Sequence, residues 1–369
     1  MEQSSFVAVS CFHTNTENGS GQQDRANHSD PAMDHSNLSD DSLRLSSIIF
    51  ACLYILIFVA GLFLNSMAVW VFFQIRMQKR TFMLYLRNMA VADLLMTLTL
   101  PIDVLNEAKL APSSLKAVSC KYTAVLFYCC MYTSILFLGL VALDRYLKIV
   151  RPFGGMCGAC LYSYSFTVAM AVMVWFTMIG LSLPNAILHN QTKVDIMDNC
   201  ADLKSDLGKK WHTVVVYINI LIFCLVLITL LTCYISIYRH IHRSSAQFVI
   251  VGETTPRKTK KGQNILVLLV VFFICFVPYH LCRIQFTESQ TNGEQMKDTL
   301  KTGKKATLLL AMFNVCLDPI IYFLMSKSFR SKLSQTLGIW TLSDKMSIYS
   351  PASTKKTTVV MLFKESQSS

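Results

Sequence analysis

Seven long runs of apolar residues alternate with polar segments along this chain of 369 residues. Each run approaches the roughly 20 apolar residues that an α-helix needs to cross a bilayer. Because backbone groups in lipid must hydrogen-bond to one another, the runs predict helices, and the fold class is all-α, a seven-transmembrane helix bundle. The runs are Ile48–Phe73, Leu84–Leu105, Tyr122–Leu143, Leu161–Leu188, His212–Tyr238, Ile265–Arg283 and Ala306–Leu324.

The segments outside these runs divide the chain into four parts. Residues 1–47 are polar and predict a disordered, glycosylated extracellular tail. They lack the apolar core of a cleavable secretory signal, so we expect the first helix to direct insertion. Residues 48–325 form the bundle. Residues 326–337 predict a short amphipathic eighth helix on the inner leaflet, and residues 338–369 form a cytoplasmic tail rich in Ser and Thr.

Composition excludes an ordinary soluble domain. The chain is 53% hydrophobic and only 15% charged, whereas a soluble domain carries about 25% charged residues. The formal net charge of +12 indicates basic residues at the membrane surface, with membrane lipids as partners and no nucleic-acid polymer.

Orientation depends mainly on glycosylation sequons, because basic residues favour the predicted inner loops only slightly. Three sequons crowd the polar N-terminus and a fourth follows the fourth helix, which favours an extracellular N-terminus in a multi-pass protein of the plasma membrane. The acceptor residues are Asn18, Asn27, Asn37 and Asn190.

Two of the 13 cysteines lie where an oxidising exterior would favour a disulfide. Cys120 is at the outer end of the third helix, and Cys200 is in the outer loop between the fourth and fifth helices. We expect them to be bonded, which would tie that loop over the bundle.

Carboxylates inside the bundle are candidate functional groups, because ionisable side chains are costly in lipid. Asp93 and Asp318 would repel each other if both ionised, so a proton or a cation such as sodium must lie between them. Ser134 and Asn314 complete this predicted ion site, and Asn314 shares a helix face with Asp318. The alternative is that these groups only hold helices together.

Three further features predict a two-state switch. Asp144, Arg145 and Tyr146 end the third apolar run, where an acid and an arginine at the cytoplasmic end of a helix are expected to be paired or used. Pro319, with Tyr322 one turn later, predicts a kink near the buried acids. The sixth helix contains Phe272, Phe276 and Pro278, and the proline predicts a second kink.

Basic residues converge near the outer mouth of the predicted bundle. His280, Arg283, Thr287 and Gln290 share one helix face, while Lys204 and Lys304 stand in the outer loop and at the start of the seventh helix. Arginine and lysine around one cavity favour an anionic ligand, and arginine suits phosphate. Tyr128 could stack on the body of that ligand. The alternative for Arg283 is that it extends to the membrane interface.

These motifs resemble those of rhodopsin-like G-protein-coupled receptors over about residues 45 to 335. The resemblance rests on Asn65, Ala90-Val91-Ala92-Asp93-Leu94, Cys120, Asp144-Arg145-Tyr146, Trp175, Pro184, Tyr234, Phe272-x-x-Cys275-x-x-Pro278 and Asn314-x-x-x-Asp318-Pro319-x-x-Tyr322. It implies activation roles for Asp144, Arg145, Tyr146, Tyr234, Phe272, Phe276, Pro278, Asp318, Pro319 and Tyr322. Phe276 and Asp318 stand where many relatives carry tryptophan and asparagine.

Those two departures are similar to the purinergic cluster that includes the ADP and UDP-glucose receptors. The resemblance implies a ligand site formed by Tyr128, Asn185, Lys204, His212, His280, Arg283, Gln290 and Lys304. Other segments, among them Trp211-His212-Thr213, are similar to an orphan member of the cluster for which lysophosphatidic acid has been proposed as agonist. The chain has no cysteine in its last outer loop, and Lys305 replaces the usual glutamate, which implies a more open and more cationic mouth.

The expected function is therefore a receptor for a small phosphate-bearing ligand, a nucleotide or nucleotide sugar, acting through a heterotrimeric G protein. The inhibitory G-protein class is implied by resemblance only, and arrestin and receptor kinases are expected partners of the tail. A lysophospholipid receptor is the main alternative. A transporter or channel is disfavoured because the sequence shows no internal repeat, a decoy because the Asp144-Arg145-Tyr146 motif is intact, and an enzyme because no nucleophile–base group stands out.

Overall fold

The predicted seven-helix bundle is confirmed by a computed structural model. Among the residues that the structure describes, seven helical segments are long and apolar enough to cross a membrane. In chain order these are span 1 (Arg44–Gln74), span 2 (Thr81–Glu107), span 3 (Ser113–Val150), span 4 (Tyr164–Ile187), span 5 (Asp206–Arg243), span 6 (Leu266–Ser289) and span 7 (Thr299–Met325).

The structure describes residues 32–75, 81–151, 163–189, 200, 203–249, 256–291 and 298–336. The described helices are Ala32–Gln74, Thr81–Thr97, Leu100–Glu107, Ser113–Val118, Ala124–Val150, Tyr164–Ile187, Asp206–Val249, Pro256–Thr291, Asp298–Met312, Asn314–Met325 and Lys327–Thr336, with a π-helical turn at Ser119–Thr123. The predicted glycosylation sites Asn18, Asn27 and Asn190 lie outside the described residues. Asn37 lies within the first helix, but its side chain is outside the described part of the chain.

Several helices extend beyond the apolar runs that predicted them. The first begins at Ala32, before the expected bundle boundary at residue 48, and the fifth continues to Val249. Backbone hydrogen bonding continues past the lipid because polar side chains at the helix ends are solvated without breaking the helix. Hydropathy therefore locates the spans and not the helix ends.

Span 7 is interrupted at Phe313, between Met312 and Asn314. The interruption lies before Pro319, which was expected to cause the kink. Proline has no N–H for the carbonyl four residues earlier, here that of Val315. The Asn65 side chain of span 1 donates to this carbonyl at 2.9 Å. Asn65 therefore provides a donor to the backbone carbonyl that Pro319 leaves without its usual N–H partner.

Close packing between spans 1 and 7 places that asparagine. A Cβ added at Gly61 would lie 2.8 Å from a methyl carbon of Val315, so a larger side chain would force the spans apart. On the far side of the bundle, the Trp175 indole of span 4 donates to Asn88 of span 2 at 3.0 Å. These contacts fix the rotation of spans that lipid alone would leave free.

The short eighth helix, Lys327–Thr336, follows span 7 directly. Its Phe329 is buried, with ring centroids 4.9 Å from Phe72 and 6.1 Å from Tyr322. The Ser326 hydroxyl accepts the Phe329 backbone N–H at 3.0 Å and caps the helix. The eighth helix is therefore anchored to the inner end of the bundle by one aromatic side chain.

Candidate functional site

Arg283 is the centre of a cluster of cationic side chains at the end of the bundle that carries the Cys120–Cys200 disulfide. We call the space among Arg283, Lys204, Lys304 and His212 the chamber, and this end of the bundle the outer end. The residue is 7% exposed although it carries a full charge. Its guanidinium donates to Nε2 of His212 in span 5 at 3.3 Å and lies 5.8 Å from the Tyr128 ring centroid in span 3. These contacts turn the side chain into the bundle, which excludes the alternative that Arg283 extends to the interface.

Two lysines reach the same chamber from different elements. Lys204 follows the Cys120–Cys200 disulfide, which the structure contains, and forms a β-bridge with His189 at the end of span 4. Lys304 lies in span 7 with its amine 3.7 Å from the Phe286 ring centroid in span 6. The disulfide and the bridge hold the outer loop so that Lys204 covers the chamber.

The chamber concentrates positive charge without a matching acid. Lys204, Lys304 and Arg283 all act electrostatically on His212. Among the side chains that the structure describes, no carboxylate forms an ion pair with Arg283, Lys204 or Lys304. Burial, and secondarily the charge of Arg283, lowers the pKa of the Lys204 amine to about 8. Unpaired buried charges are costly, so a bound anion would stabilise this arrangement.

His280 forms the floor of the chamber. Its Nδ1 bonds to the Phe276 carbonyl at 2.8 Å, and Nε2 bonds to the Tyr132 hydroxyl at 3.1 Å. Because a carbonyl can only accept, Nδ1 donates, and the Tyr132 hydroxyl can then donate to Nε2. The ring also stacks on Phe223 with centroids 3.8 Å apart. Both nitrogens are satisfied internally, so His280 links the chamber to the core beneath it.

The remaining predicted ligand residues are placed less completely. Asn185 is buried in span 4, where its amide donates weakly to the Leu181 carbonyl at 3.4 Å and its Oδ1 has no partner among the described groups. Gln290 lies within the helix of span 6, but its side chain is outside the described part of the chain. Thr287 lies on the Arg283 face and donates to the Arg283 carbonyl at 2.8 Å.

Two polar residues near the chamber were missed from the sequence. Asn219 is buried in span 5, two turns from His212, and its Oδ1 has no partner among the described groups. His189 has neither ring nitrogen bonded among those groups, although it lies across the β-bridge from Lys204. The helical spacing of Asn219 from His212 could have identified it, whereas nothing local marked His189.

Lys305, which was expected to make the mouth more cationic, is paired with an acid in the structure. Its amine lies 3.0 Å from both carboxylate oxygens of Glu107 at the outer end of span 2. The charge of Lys305 is thus paired, and the contact joins two spans across the mouth. Lys304, one residue earlier, forms no ion pair with a described carboxylate, so its amine remains available to an anion in the chamber.

The predicted ion site is assembled in the middle of the bundle. The Ser134 hydroxyl donates to one Asp93 oxygen at 2.5 Å, and the Tyr322 hydroxyl donates to the other at 2.8 Å. The Asn314 amide donates to Asp318 at 2.7 Å. One oxygen each of Asp318 and Asn314 is buried with no partner among the described groups. Free oxygens beside two carboxylates fit a hard cation such as sodium or a shared proton.

An aromatic stack lies beneath His280 and the chamber. The Phe272 ring centroid lies 5.6 Å from Phe223 and 5.2 Å from Phe276. Phe272 and Phe276 are fully buried in span 6, just before Pro278, which lies inside the helix. A change in the bend at Pro278 must therefore repack these rings.

At the inner end, the start of span 2 holds the Asp144-Arg145-Tyr146 motif. The Lys148 amine binds Asp144 at 2.7 and 3.0 Å, and the Thr81 hydroxyl contacts both residues. The Arg145 guanidinium lies 3.6 Å from the Phe82 ring centroid. Lys148, one turn after Asp144, is the partner that sequence analysis did not identify.

The two predicted tyrosines of the inner half differ in their surroundings. Tyr146 is partly buried and packs against the core. Tyr234 of span 5 lies with its ring centroid 6.3 Å from that of Tyr238. Neither contact reaches the Asp93–Asp318 layer, so this structure leaves their activation roles as predictions.

Comparisons with known proteins agree with this geometry. Residues 64–322 match the family described as 7 transmembrane receptor (rhodopsin family). The chain is 48% identical over 308 residues to G-protein coupled receptor 87 of Mus musculus, covering 82% of this chain and 84% of that protein. It is 42% identical over 295 residues to purinoceptor 14 of Bos taurus (79% and 86%). It is 38% identical over 296 residues to purinoceptor 13 of Homo sapiens (79% and 81%).

Proposed function

Because this chain belongs to the rhodopsin family of seven-transmembrane receptors, which act through G proteins, we propose that its ligand is a small phosphate-bearing anion. A nucleotide or nucleotide sugar is the favoured class. The resemblance predicted from sequence is confirmed, and its relatives are receptors rather than enzymes. As a multi-pass membrane receptor, the protein would expose the chamber at the cell surface if its N-terminus is extracellular, as the sequons suggest.

One observation supports the proposal most strongly: Arg283 is buried beside Lys204 and Lys304 with no described carboxylate to neutralise it. The free energy of burying such charge is recovered when an anion binds. Guanidinium is suited to two parallel hydrogen bonds with phosphate oxygens, while lysine amines contribute point charges. Tyr128 offers an aromatic surface beside the guanidinium for a base or another planar group.

Ligand binding would act through the contact between spans 6 and 7. Lys304 already rests on Phe286 of span 6, one turn from Arg283. A phosphate held by both cations draws the outer ends of the two spans together. Pro278 and the Phe272–Phe276 stack convert this into outward motion of the inner end of span 6. The ligand shifts the equilibrium only by its difference in affinity for the two states.

The inner end would then accept a heterotrimeric G protein of the inhibitory class. Arg145 leaves the Phe82 ring and turns towards the opened cavity, while Lys148 and Thr81 keep Asp144 at the start of span 2. A sodium ion held by Asp93, Ser134, Asn314 and Asp318 would stabilise the resting arrangement of the middle layer. Arrestin and receptor kinases would act on the Ser- and Thr-rich tail.

The proposal is tested by one screen with matched variants. ADP, UDP-glucose and lysophosphatidic acid are applied to cells that express wild type, Arg283→Ala or Lys304→Met, and G-protein activation is measured with inhibitory and other G-protein classes. A nucleotide response that both substitutions weaken supports the proposal. A response to lysophosphatidic acid alone would assign the ligand to the lysophospholipid alternative. Responses that neither substitution changes would reject the anion site.

Lys204 gives the site a pH dependence. Its amine has a pKa of about 8 in the unliganded chamber, and a bound phosphate would favour the protonated form. As the pH rises through about 8, Lys204 loses its proton and affinity for an anion falls, by up to about tenfold between about pH 7 and pH 9. The phosphate itself ionises near about pH 6, so its charge is constant over this window.

Competition binding of the active probe at both pH values measures this decline. Lys204→Arg is the matched variant, because arginine stays protonated throughout the range. The affinity of this variant should fall less between about pH 7 and pH 9 than that of the wild type. An equally steep decline in the arginine variant would assign the effect to another group.

Basal activity is a further expected result. Lys258 stands where some relatives carry a glutamate that restrains Arg145; its backbone lies in the sixth helix, and its side chain is outside the described part of the chain. We expect measurable G-protein activation without agonist, and Lys258→Glu should lower it several-fold by placing an acid at this position. Lys258→Gln is the control for loss of the lysine alone. Silent wild-type receptor, expressed at the surface, would contradict this expectation.

A further inference from the structure

The outer ends of spans 2 and 7 are joined by an ion pair that the proposed ligand site does not use. Lys305 binds Glu107 through both carboxylate oxygens at 3.0 Å, although the two residues are 198 positions apart in the chain. The Glu107 side chain is only 12% exposed, whereas that of Lys305 is 51% exposed. The position of the Glu107 carboxylate, on the span 2 side of the ion pair, is thus well defined.

Lys305 and Lys304 are consecutive residues on one helix, so their side chains leave the axis about 100° apart. Lys305 is directed to span 2, and Lys304 is directed to Phe286 of span 6. Any rotation that releases Lys305 from Glu107 must also turn Lys304 away from the chamber. The two contacts therefore fix the same rotation of the outer end of span 7.

Electrostatic repulsion within the chamber favours turning Lys304 outward, so span 7 needs a restraint against that rotation. Lys304 and Arg283 repel each other inside the chamber, and a lysine near a helix end can extend to water when that is favourable. Glu107 attracts Lys305 towards span 2 through both of its carboxylate oxygens. The acidic end of span 2 thus opposes the repulsion that would turn Lys304 outward.

We propose that the Glu107–Lys305 ion pair is a positioning contact, which holds the outer end of span 7 in the rotation that presents Lys304 to an anionic ligand. The inference rests on the proposed function, because that function requires Lys304 to bind the anionic ligand. Lys305 itself does not touch the ligand. A half-exposed ion pair contributes little to global stability, so the effect should appear in ligand potency.

Glu107→Gln tests the inference by the sign of its effect. If Glu107 acted only through its negative charge, removing that charge beside a cationic site should raise the potency of an anionic ligand. If the ion pair positions Lys304, Glu107→Gln should instead lower ligand potency about threefold, because Lys304 is no longer held in place. Lys305→Met should cause a similar loss, and the double variant should be no worse than either single one, because both remove one shared contact.

The measurement uses full-length receptor in cells, with ADP, UDP-glucose and lysophosphatidic acid as probes and surface expression recorded for every variant. The charge-exchanged double variant Glu107→Lys with Lys305→Glu should recover part of the potency, and it serves as the test if Glu107→Gln fails to reach the surface. Higher or unchanged potency in Glu107→Gln, or losses that multiply in the double variant, would overturn the positioning role.

Arg283→Ala and Lys304→Met separate this inference from the proposed function. If they weaken the response and Glu107→Gln does not, only the positioning role fails. If neither weakens it, the anion site itself fails. A wild-type receptor that responds to none of the three probes would overturn both.

Discussion

Replacing Arg283 with alanine is expected to lower agonist potency about 100-fold. The guanidinium lies between His212 and Tyr128, close to Lys204 and Lys304, and provides the fork of donors that a phosphate requires. Truncating a buried, charge-assisted contact costs about 3 kcal/mol, and each 1.4 kcal/mol is about a tenfold change in affinity. Concentration–response curves for the probe active on the wild type measure the shift.

The same substitution, Arg283→Ala, should not lower the thermal stability of the unliganded receptor. Arg283 is buried next to two lysines without a described acid, so its removal relieves repulsion. We expect Arg283→Ala to have a Tm in detergent equal to or above that of the wild type, which separates lost binding from misfolding. Arg283→Lys, which keeps the charge but not the planar fork, should show an intermediate potency. Full potency in the alanine variant would show that the chamber does not bind the agonist.

Replacing Cys200 with serine should have the second large effect, on both stability and response. The Cys120–Cys200 bond closes a loop with a sequence separation of 80, and releasing a loop of this length destabilises a folded protein by about 4 kcal/mol. That corresponds to a fall in Tm of roughly 10 °C. The loop also carries Lys204 over the chamber, so the fraction of receptor that reaches the surface should respond poorly to anionic agonist.

Cys224→Ser is the matched control for this prediction. Its thiol is free and exposed on span 5, away from the disulfide, so the substitution should change neither Tm nor potency. Thermal unfolding in detergent and surface labelling give the two readouts. Wild-type stability and potency in Cys200→Ser would mean that the bridge at His189 holds the loop without help from the disulfide.

The positions of the seven spans followed from the sequence because hydropathy is a property of neighbouring residues, and lipid forces each apolar run to satisfy its own backbone. The bond between Cys120 and Cys200 followed as well, since both lie at the outer face of the predicted bundle, where the environment is oxidising. The motif ending in Tyr146 and the acids Asp93 and Asp318 were marked by the cost of charge in an apolar run.

The sequence could not predict which partner each basic side chain contacts. Lys304 and Lys305 are identical in type and adjacent in sequence, yet one enters the chamber and the other pairs with Glu107. The difference depends on how span 7 is rotated against spans 2 and 6. Likewise, the interruption at Phe313 and the capture of the Val315 carbonyl by Asn65 depend on the close approach of spans 1 and 7.

The sequence alone thus determined that this chain crosses the membrane seven times and has buried acids, because membrane insertion depends on local apolar length and on the cost of isolated charge. That the chain is a receptor followed from its motifs, through their resemblance to a known family. The tertiary structure decided that Arg283 points inward, that Lys305 is neutralised by span 2, and that Thr81 of span 2 contacts Asp144. Contacts between distant residues depend on the rotation and packing of whole helices, and no local pattern in the chain specifies these.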